Sequence, residues 1–308
     1  MNAPANTQAL DPQMIPPVAS TAARTRPLYW SVRRELWENR SIYLAPLIAA
    51  AVMLFGFWTR AFHLPARMRA AEAMDSVTQT NLLATPYAFS AALIMFAGLL
   101  VGWFYCLDAL HGERRDRSIL FWKSLPVSDL TTVLAKAAIP LLFLPLLTFV
   151  ITVVMQLIMM LLSSVVMLAR GQTVSTLWTH LPFFQMSLAL LFHLMGMHSL
   201  WYAPLYCWLL LISAWARRAP LLWAVLPPAV IAAVEKIAFN TSHFATMLGN
   251  RFGGGQSPEF DDHAMMVVPL TALDIGNFLI SPGLWIGLAF AALFLAAAVR
   301  LRRYREPI

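Results

Sequence analysis

The sequence predicts an all-α integral membrane protein with six transmembrane helices. An interfacial helix precedes the first, and a short cytoplasmic helix lies between the second and third. Three observations carry the prediction. Hydrophobic residues make up 59% of the 308 and charged residues only 12%, with mean hydropathy +0.66. A soluble domain carries about 25% charged residues, so this chain has too few to solvate a globular surface. Six apolar stretches are each long enough to cross about 30 Å of hydrocarbon. The Lys and Arg residues gather between alternate stretches, as the positive-inside rule requires.

Residues 1–26 hold Pro4, Pro12, Pro16 and Pro17 with several Ala, Thr and Gln. They lack the apolar core of a cleaved signal peptide and are expected to form a disordered cytoplasmic tail. Residues 27–308 are expected to form a single six-span membrane domain. Pro27–Arg40 (PLYWSVRRELWENR) suits an interfacial helix. Leu28, Val32, Leu36 and Trp37 recur at helical spacing, and Arg33, Arg34, Glu38 and Arg40 fall mostly elsewhere. Ordinary juxtamembrane charges with one belt Trp remain the alternative.

The spans are placed at Ser41–Trp58, Tyr87–Leu107, Ala137–Leu168, Phe183–Trp215, Leu221–Phe239 and Pro282–Val299. The third and fourth would be about 50 Å long as straight helices. They must tilt, kink or project into water, and Pro140, Pro145 and Pro204 supply kink sites. With the N-terminus inside, 16 of the 22 Lys and Arg residues fall on the cytoplasmic side. Both termini are therefore expected in the cytoplasm. The charges form no single basic face, so the +7 net charge and pI near 9.8 are not those of a nucleic-acid binder.

Between the second and third spans, Leu107–Lys136 reads LDALHGERRDRSILFWKSLPVSDLTTVLAK. The run Glu113, Arg114, Arg115, Asp116, Arg117 cannot enter hydrocarbon cheaply. Ile119, Leu120, Phe121, Trp122 and Leu125 follow at once, more apolar surface than a solvated loop needs. A partner protein would cover it. Glu113 and Arg117 are spaced i,i+4 to support a helical turn. Pro126 should stop that helix near Leu125. Ser128 can cap the next one, with Asp129 in its first turn. A helix lying on lipid would present the same apolar residues, but Glu113 and Asp116 would be repelled by an anionic leaflet.

Other chemistry is sparse. No G-x-x-x-x-G-K-[ST] run is present, so this chain has no P-loop for ATP phosphates. Cys106 and Cys207 lie in apolar segments without metal-ligand spacing, as packing residues do. On an α-helix the i,i+5 spacing of His193 and His198 turns them about 140° apart. That favours buried, hydrogen-bonded histidines over a path-lining role, and either over a metal pair. Glu235 and Lys236 lie near the outer end of the fifth span. As neighbours they do not face each other, and they either line a substrate path or snorkel to the surface. Gly98–Gly102 and Gly283–Gly287 are G-x-x-x-G pairs that permit close helix contact. The last outside loop, Asn240–Ser281, is long, and its piece Ala264–Leu273 is too short to span but long enough to re-enter the outer leaflet.

The pattern Asp108, Glu113-Arg114-Arg115-Asp116, Ser118, Phe121, Ser124-Leu125-Pro126-Val127-Ser128 and Lys136 resembles the cytoplasmic loop of ABC-2-type transporter permeases. The SLPVS turn with a Lys at the next span is the most specific part. The six-span layout, the interfacial helix, the short loop between spans four and five, and the long last outside loop are similar to the same family. The resemblance covers about residues 27–305. The last outside loop departs from it, being longer than a minimal re-entrant hairpin.

The resemblance implies a permease subunit of an ATP-driven exporter, not itself an enzyme, in a bacterial inner membrane. Its loop would carry a coupling helix docked on a separate ATPase through Glu113, Arg114, Arg115, Asp116, Arg117, Leu120, Phe121, Trp122 and Leu125. Two ATPase copies would hold the ATP and Mg, with no cofactor on this chain. A second permease copy or a paralogue would complete the assembly in the lipid bilayer, with no nucleic acid involved. Candidate path residues are Glu235, Lys236, His193 and His198. The alternative is a non-transporting membrane scaffold or a membrane-embedded enzyme. An enzyme needs convergent polar residues at one depth, which the spans hardly supply.

The orientation is testable directly. In a background lacking Cys106 and Cys207, a single cysteine at Ser257 should react with an impermeant maleimide on intact cells, and one at Ser118 should not. The reverse pattern would overturn the topology.

Overall fold

The computed structural model describes residues 26–62, 76–124, 127–171, 173–181, 183–253 and 275–304. Regular structure among them is entirely helical, and six helices are long and apolar enough to cross a membrane. The protein is a multi-pass membrane protein. Of the predicted tail only Arg26 is described, and Leu125, Pro126 and Ala264–Leu273 lie outside the described residues.

Helix α1 (Pro27–Glu38) starts on a proline, whose missing N–H costs nothing at a helix N-terminus. It buries Val32 and Glu35, while Leu28 and Trp37 are exposed, so the predicted apolar stripe is only half used. Asn39 and Arg40 join it to the first span, α2 (Ser41–Ala61). The second span is α3 (Ser76–Ala109), followed by two short helices, α4 (His111–Arg115) and α5 (Ile119–Ser124).

Helix α6 (Asp129–Ala138) opens the third span with the expected cap: the Ser128 hydroxyl accepts from the Thr131 N–H at 3.1 Å. A π-helical turn (π1, Ile139–Phe143) joins it to α7 (Leu144–Ala169). Pro140 explains the turn, since its ring lacks an N–H and clashes with the carbonyl four residues back. The backbone widens there, and the Leu144 N–H reaches the Ile139 carbonyl. The unbroken run Asp129–Ala169 has 41 residues, about 60 Å of helix, and so projects well beyond a bilayer core.

Beyond α8 (Ser175–His180), the fourth span is α9 (Phe183–His193) running into a longer π segment (π2, Leu194–Trp201). It breaks at Tyr202 and restarts as α10 (Ala203–Trp215), with Pro204 in the first turn. The fifth span, α11 (Pro220–Phe239), buries only Ala224. Helix α12 (His243–Phe252) turns back along the bundle, where the Trp201 indole N–H and Tyr202 hydroxyl donate to the Arg251 and Phe252 carbonyls. Helix α13 (Ile275–Ile280) precedes the sixth span, α14 (Pro282–Tyr304).

The second span forms the centre, packed by α2, α7 and α10, and α10 lies along α14. Both glycines of the first G-x-x-x-G pair face close neighbours. A Cβ on Gly98 would lie 2.8 Å from the Thr148 hydroxyl, and one on Gly102 would lie 3.2 Å from the Tyr206 ring. Cys106 and Cys207 are free and fully buried, as packing residues are.

The second pair receives α12. The Arg251 guanidinium lies 4.2 Å over the Trp201 ring and donates to the Gly283 carbonyl at 3.0 Å. A Cβ on Gly287 would lie 1.7 Å from Arg251 Nη2, so only glycine leaves that notch open. Gly287→Ala should expel the guanidinium and free α12. Hydrogen exchange should then quicken at His243–Phe252 amides with little change in α3 or α7, and unchanged α12 protection would refute the seat.

Candidate functional site

At one end of the bundle, charges from three separated segments and the third span converge. Glu35 of α1 is 1% exposed. It accepts from Lys136 Nζ at 2.8 Å, from the Arg34 guanidinium at 2.6 Å and from the Tyr105 hydroxyl at 2.9 Å. Glu113 of α4 is reached by Lys136 Nζ at 3.1 Å and by Arg34 at 3.3 Å, and its second oxygen accepts from Arg302 of α14. Arg302 Nε also contacts Asp129 at 3.1 Å. Glu35, Glu113 and Asp129 thus face Lys136, Arg34 and Arg302, and Glu38 adds a fourth, half-exposed carboxylate beside Arg34 at 3.6 Å. Burial pushes the Glu35 carboxyl up, but Lys136 and Arg34 outweigh it and hold the group below the ordinary value of 4.5.

The helix pair α4–α5 is fixed to this cluster at its base. Ser213 Oγ of α10 accepts from the Leu110 and His111 N–H groups at 3.0 and 2.9 Å, closing the start of α4. Arg114 turns inward and donates to the Ala214 and Ala216 carbonyls at 2.8 and 3.2 Å. Those two carbonyls lie at the α10 C-terminus, where orphan acceptors attract a cation. Arg117 adopts φ +57°, a left-handed conformation costing about 1–2 kcal/mol for a side chain larger than glycine. It separates α4 from α5 and turns the chain sharply. The expected Glu113–Arg117 helical pair therefore does not form, since α4 ends at Arg115 and Glu113 is spent on Lys136 and Arg302.

Placement divides the predicted docking set. Glu113 and Arg114 are buried against the bundle. Arg115, Asp116 and Arg117 are exposed, with Arg115 joined to Asp116 at 3.0 Å. Leu120 and Phe121 are 59% and 61% exposed, while their neighbour Ile119 is buried and holds α5 down. Trp122 is half-buried, with the Arg34 guanidinium 3.8 Å over its ring. Because Glu113 faces inward, only Asp116 of the two expected acids is free to repel an anionic leaflet.

The candidate path residues part company as well. Glu235 caps α12: it accepts from the His243 and Phe244 backbone N–H groups at 2.7 and 2.8 Å and from Thr241 at 2.9 Å. Lys236 is exposed. His193 and His198 are brought together, their ring centroids 5.6 Å apart. The α-helical angle fails here because π2 follows i→i+5 hydrogen bonding, which stacks residues five apart. His198 Nδ1 is buried without a hydrogen-bond partner among the described residues. No group of three or more metal-ligating side chains occurs among them either.

Two features escaped the sequence reading. Nothing near Arg34, Glu35 or Arg302 in the sequence announces that the three share one charge cluster. Thr148, Thr152 and Gln156 form a buried polar stripe along α7 at i,i+4 spacing. That spacing was visible in an otherwise apolar run and could have been used. The Gln156 amide donates to the Tyr87 carbonyl at 3.2 Å, while Thr152 Oγ1 has no partner among the described residues.

Comparison of the chain with known protein families, curated proteins and solved structures finds no match.

Removing one partner of a buried pair leaves the other charge uncompensated, at about 3–5 kcal/mol. Lys136→Met should lower thermal stability by that order in detergent. The sign with pH also follows. A depressed folded pKa gives Glu35 a stabilising contribution that is complete above 4.5 and lost as pH falls through its lower folded value. Without Lys136 the loss should begin at higher pH. Unfolding midpoints across pH 3–7 that coincide for both proteins would show that the pair contributes nothing.

Proposed function

We propose that this chain is the membrane subunit of an ATP-driven exporter of the ABC-2 type. It would work with a second permease copy or paralogue and two ATPase subunits that carry the ATP and Mg. The charged end would face the cytoplasm of a bacterial cell, with α1 at the interface and α4–α5 as the coupling segment. The observation that carries the reading is a helix pair fixed at its base and open at its tip. Glu113 and Arg114 tie the base to α1, α6, α10 and α14, while Leu120 and Phe121 are left uncovered by the described residues.

That arrangement suits force transmission. A push on the α5 tip reaches the bundle through buried Ile119 and through Glu113 and Arg114, and neither charged residue can move without breaking buried polar contacts. The third and sixth spans receive it through Lys136 and Arg302, and the fourth through Ser213 and the α10 carbonyls. Glu235 takes a structural place as the cap of α12 in this scheme. The polar groups left for a path are those inside the bundle, the Thr148–Gln156 stripe and the His193–His198 pair. Lining this apolar with few polar groups suits an amphipathic cargo.

The test replaces both tip residues. Leu120→Ala with Phe121→Ala should weaken ATPase docking by about 2 kcal/mol or more if the two fill a partner pocket. Transport and co-purification of the ATPase should fall together, at unchanged protein level and thermal stability. Full complex formation by the double variant would favour a helix lying on lipid over a docked one.

A further inference from the structure

The outer face of α1 carries a pattern that coupling to an ATPase does not use. Trp30, Arg33 and Trp37 follow one another at intervals of three and four residues, which places them on a single stripe of the helix, and Arg26 and Arg40 flank that helix at its two ends. All five are exposed, Trp30 at 58% and Trp37 at 71%. The opposite face is committed to the bundle through Val32, Glu35 and the Arg34 contacts. The stripe is therefore a ladder in which cations and indoles alternate, presented away from the protein.

Its central rung is preorganised. The Arg33 guanidinium carbon lies 5.3 Å from the Trp30 ring centre and 5.1 Å from that of Trp37, between the two indoles. Arg26, Arg33 and Arg40 make no ion pair among the described residues. The two acids on this helix, Glu35 and Glu38, are both turned to Arg34. Three positive charges thus stand on and beside the stripe without an acid paired to them. Two residues separate α1 from the first span, so the ladder lies at the depth where the chain enters hydrocarbon.

We propose that this stripe is a binding site for anionic phospholipid headgroups in the leaflet at the charged end. Indoles favour the headgroup level, where the ring is half in apolar surroundings and the N–H stays wet. A guanidinium held flat by two rings keeps its N–H fork free for a phosphate, which it matches in a bidentate fashion. A zwitterionic headgroup also offers a phosphate, but its ammonium cancels the attraction of three unpaired cations. An ATPase face would instead need acidic residues set against an arginine ladder at membrane depth, where a cytosolic domain does not reach. The site is independent of the transport reading.

The test uses the full chain in mild detergent, titrated with phosphatidylglycerol or phosphatidylcholine of identical acyl chains and followed by native mass spectrometry. Phosphatidylglycerol should bind in clear preference. Each Arg near a leaflet surface contributes about 1 kcal/mol, or roughly fivefold. Arg33→Gln should therefore weaken phosphatidylglycerol about fivefold and Arg33→Gln with Arg40→Gln about 25-fold, with phosphatidylcholine unchanged. Trp30→Ala with Trp37→Ala should weaken it further toward the double-arginine level. Equal binding of the two lipids by the wild-type chain would overturn the proposal. So would a double-arginine variant that keeps the full preference, including one that does so while losing a co-purifying protein, which would make the stripe a protein-docking face. Both arginines are exposed and unpaired, so unfolding midpoints of the variants should match the wild type.

Discussion

Glu113 is the residue on which the charged end depends. Its two oxygens join Lys136, Arg34 and Arg302, which come from the start of the third span, the helix before the first span and the end of the sixth. Desolvating a single carboxylate costs several kcal/mol, and only close cations return it. Lys136 and Arg302 are themselves buried, Arg34 is partly so, and all three need acids. Glu35 and Asp129 supply further acids, and Tyr105 supplies the remaining donor to Glu35. No member can leave alone without stranding another. This mutual dependence, more than apolar packing, fixes where α1, α4 and α14 meet the third span.

Inside the bundle the governing constraint is different. Backbone N–H and C=O groups at membrane depth must be satisfied within the protein. Pro140 removes one of those bonds within the third span, and the chain answers by widening into a π turn, whereas Pro204 sits in the first turn of α10, where a missing N–H costs nothing. The π segment of the fourth span places His193 beside His198 and sets Tyr202, the residue at the break, against His198 at 5.6 Å.

Much of the architecture was legible in the sequence because hydrophobic length is local information. The six apolar runs, the Ser128 cap and the proline breaks each follow from a few neighbouring residues. The charged cluster was not legible, because its key contact, Arg302 to Glu113, spans 189 positions. Charges in sequence next to Glu113 offered a nearer pairing, and i,i+4 spacing favoured Arg117 until a left-handed turn at that residue broke the helix. The histidine contact was not legible for a related reason: the angle between two residues depends on the helix type, and no local pattern marks 194–201 as a π segment. The choice for Glu235 between lining a path and snorkelling did not include the cap it forms, because the backbone of α12 that meets it is eight and nine residues away. The exposure of Leu120 and Phe121 against the burial of Ile119 follows from how α5 sits on the bundle, which no periodicity over six residues could decide.

The two ends of the bundle differ in what it costs to move them. At the charged end each ion has close counter-ions, and displacement breaks several bonds together. At the α12 end Arg251 has a single carbonyl acceptor, a tryptophan face and a glycine notch, and its Nη2 is buried without a partner among the described residues. A guanidinium left with an unmet donor gains hydrogen bonds when it reaches water, so its withdrawal is opposed only by the loss of the indole contact and the Gly283 bond. The fifth span, which leads into that helix, buries only Ala224 and offers little resistance of its own. The charged end is therefore the stiffer of the two, and the compliance lies at α11, α12 and the Arg251 seat. Gly287 matters in that setting because it alone leaves the notch that the guanidinium occupies.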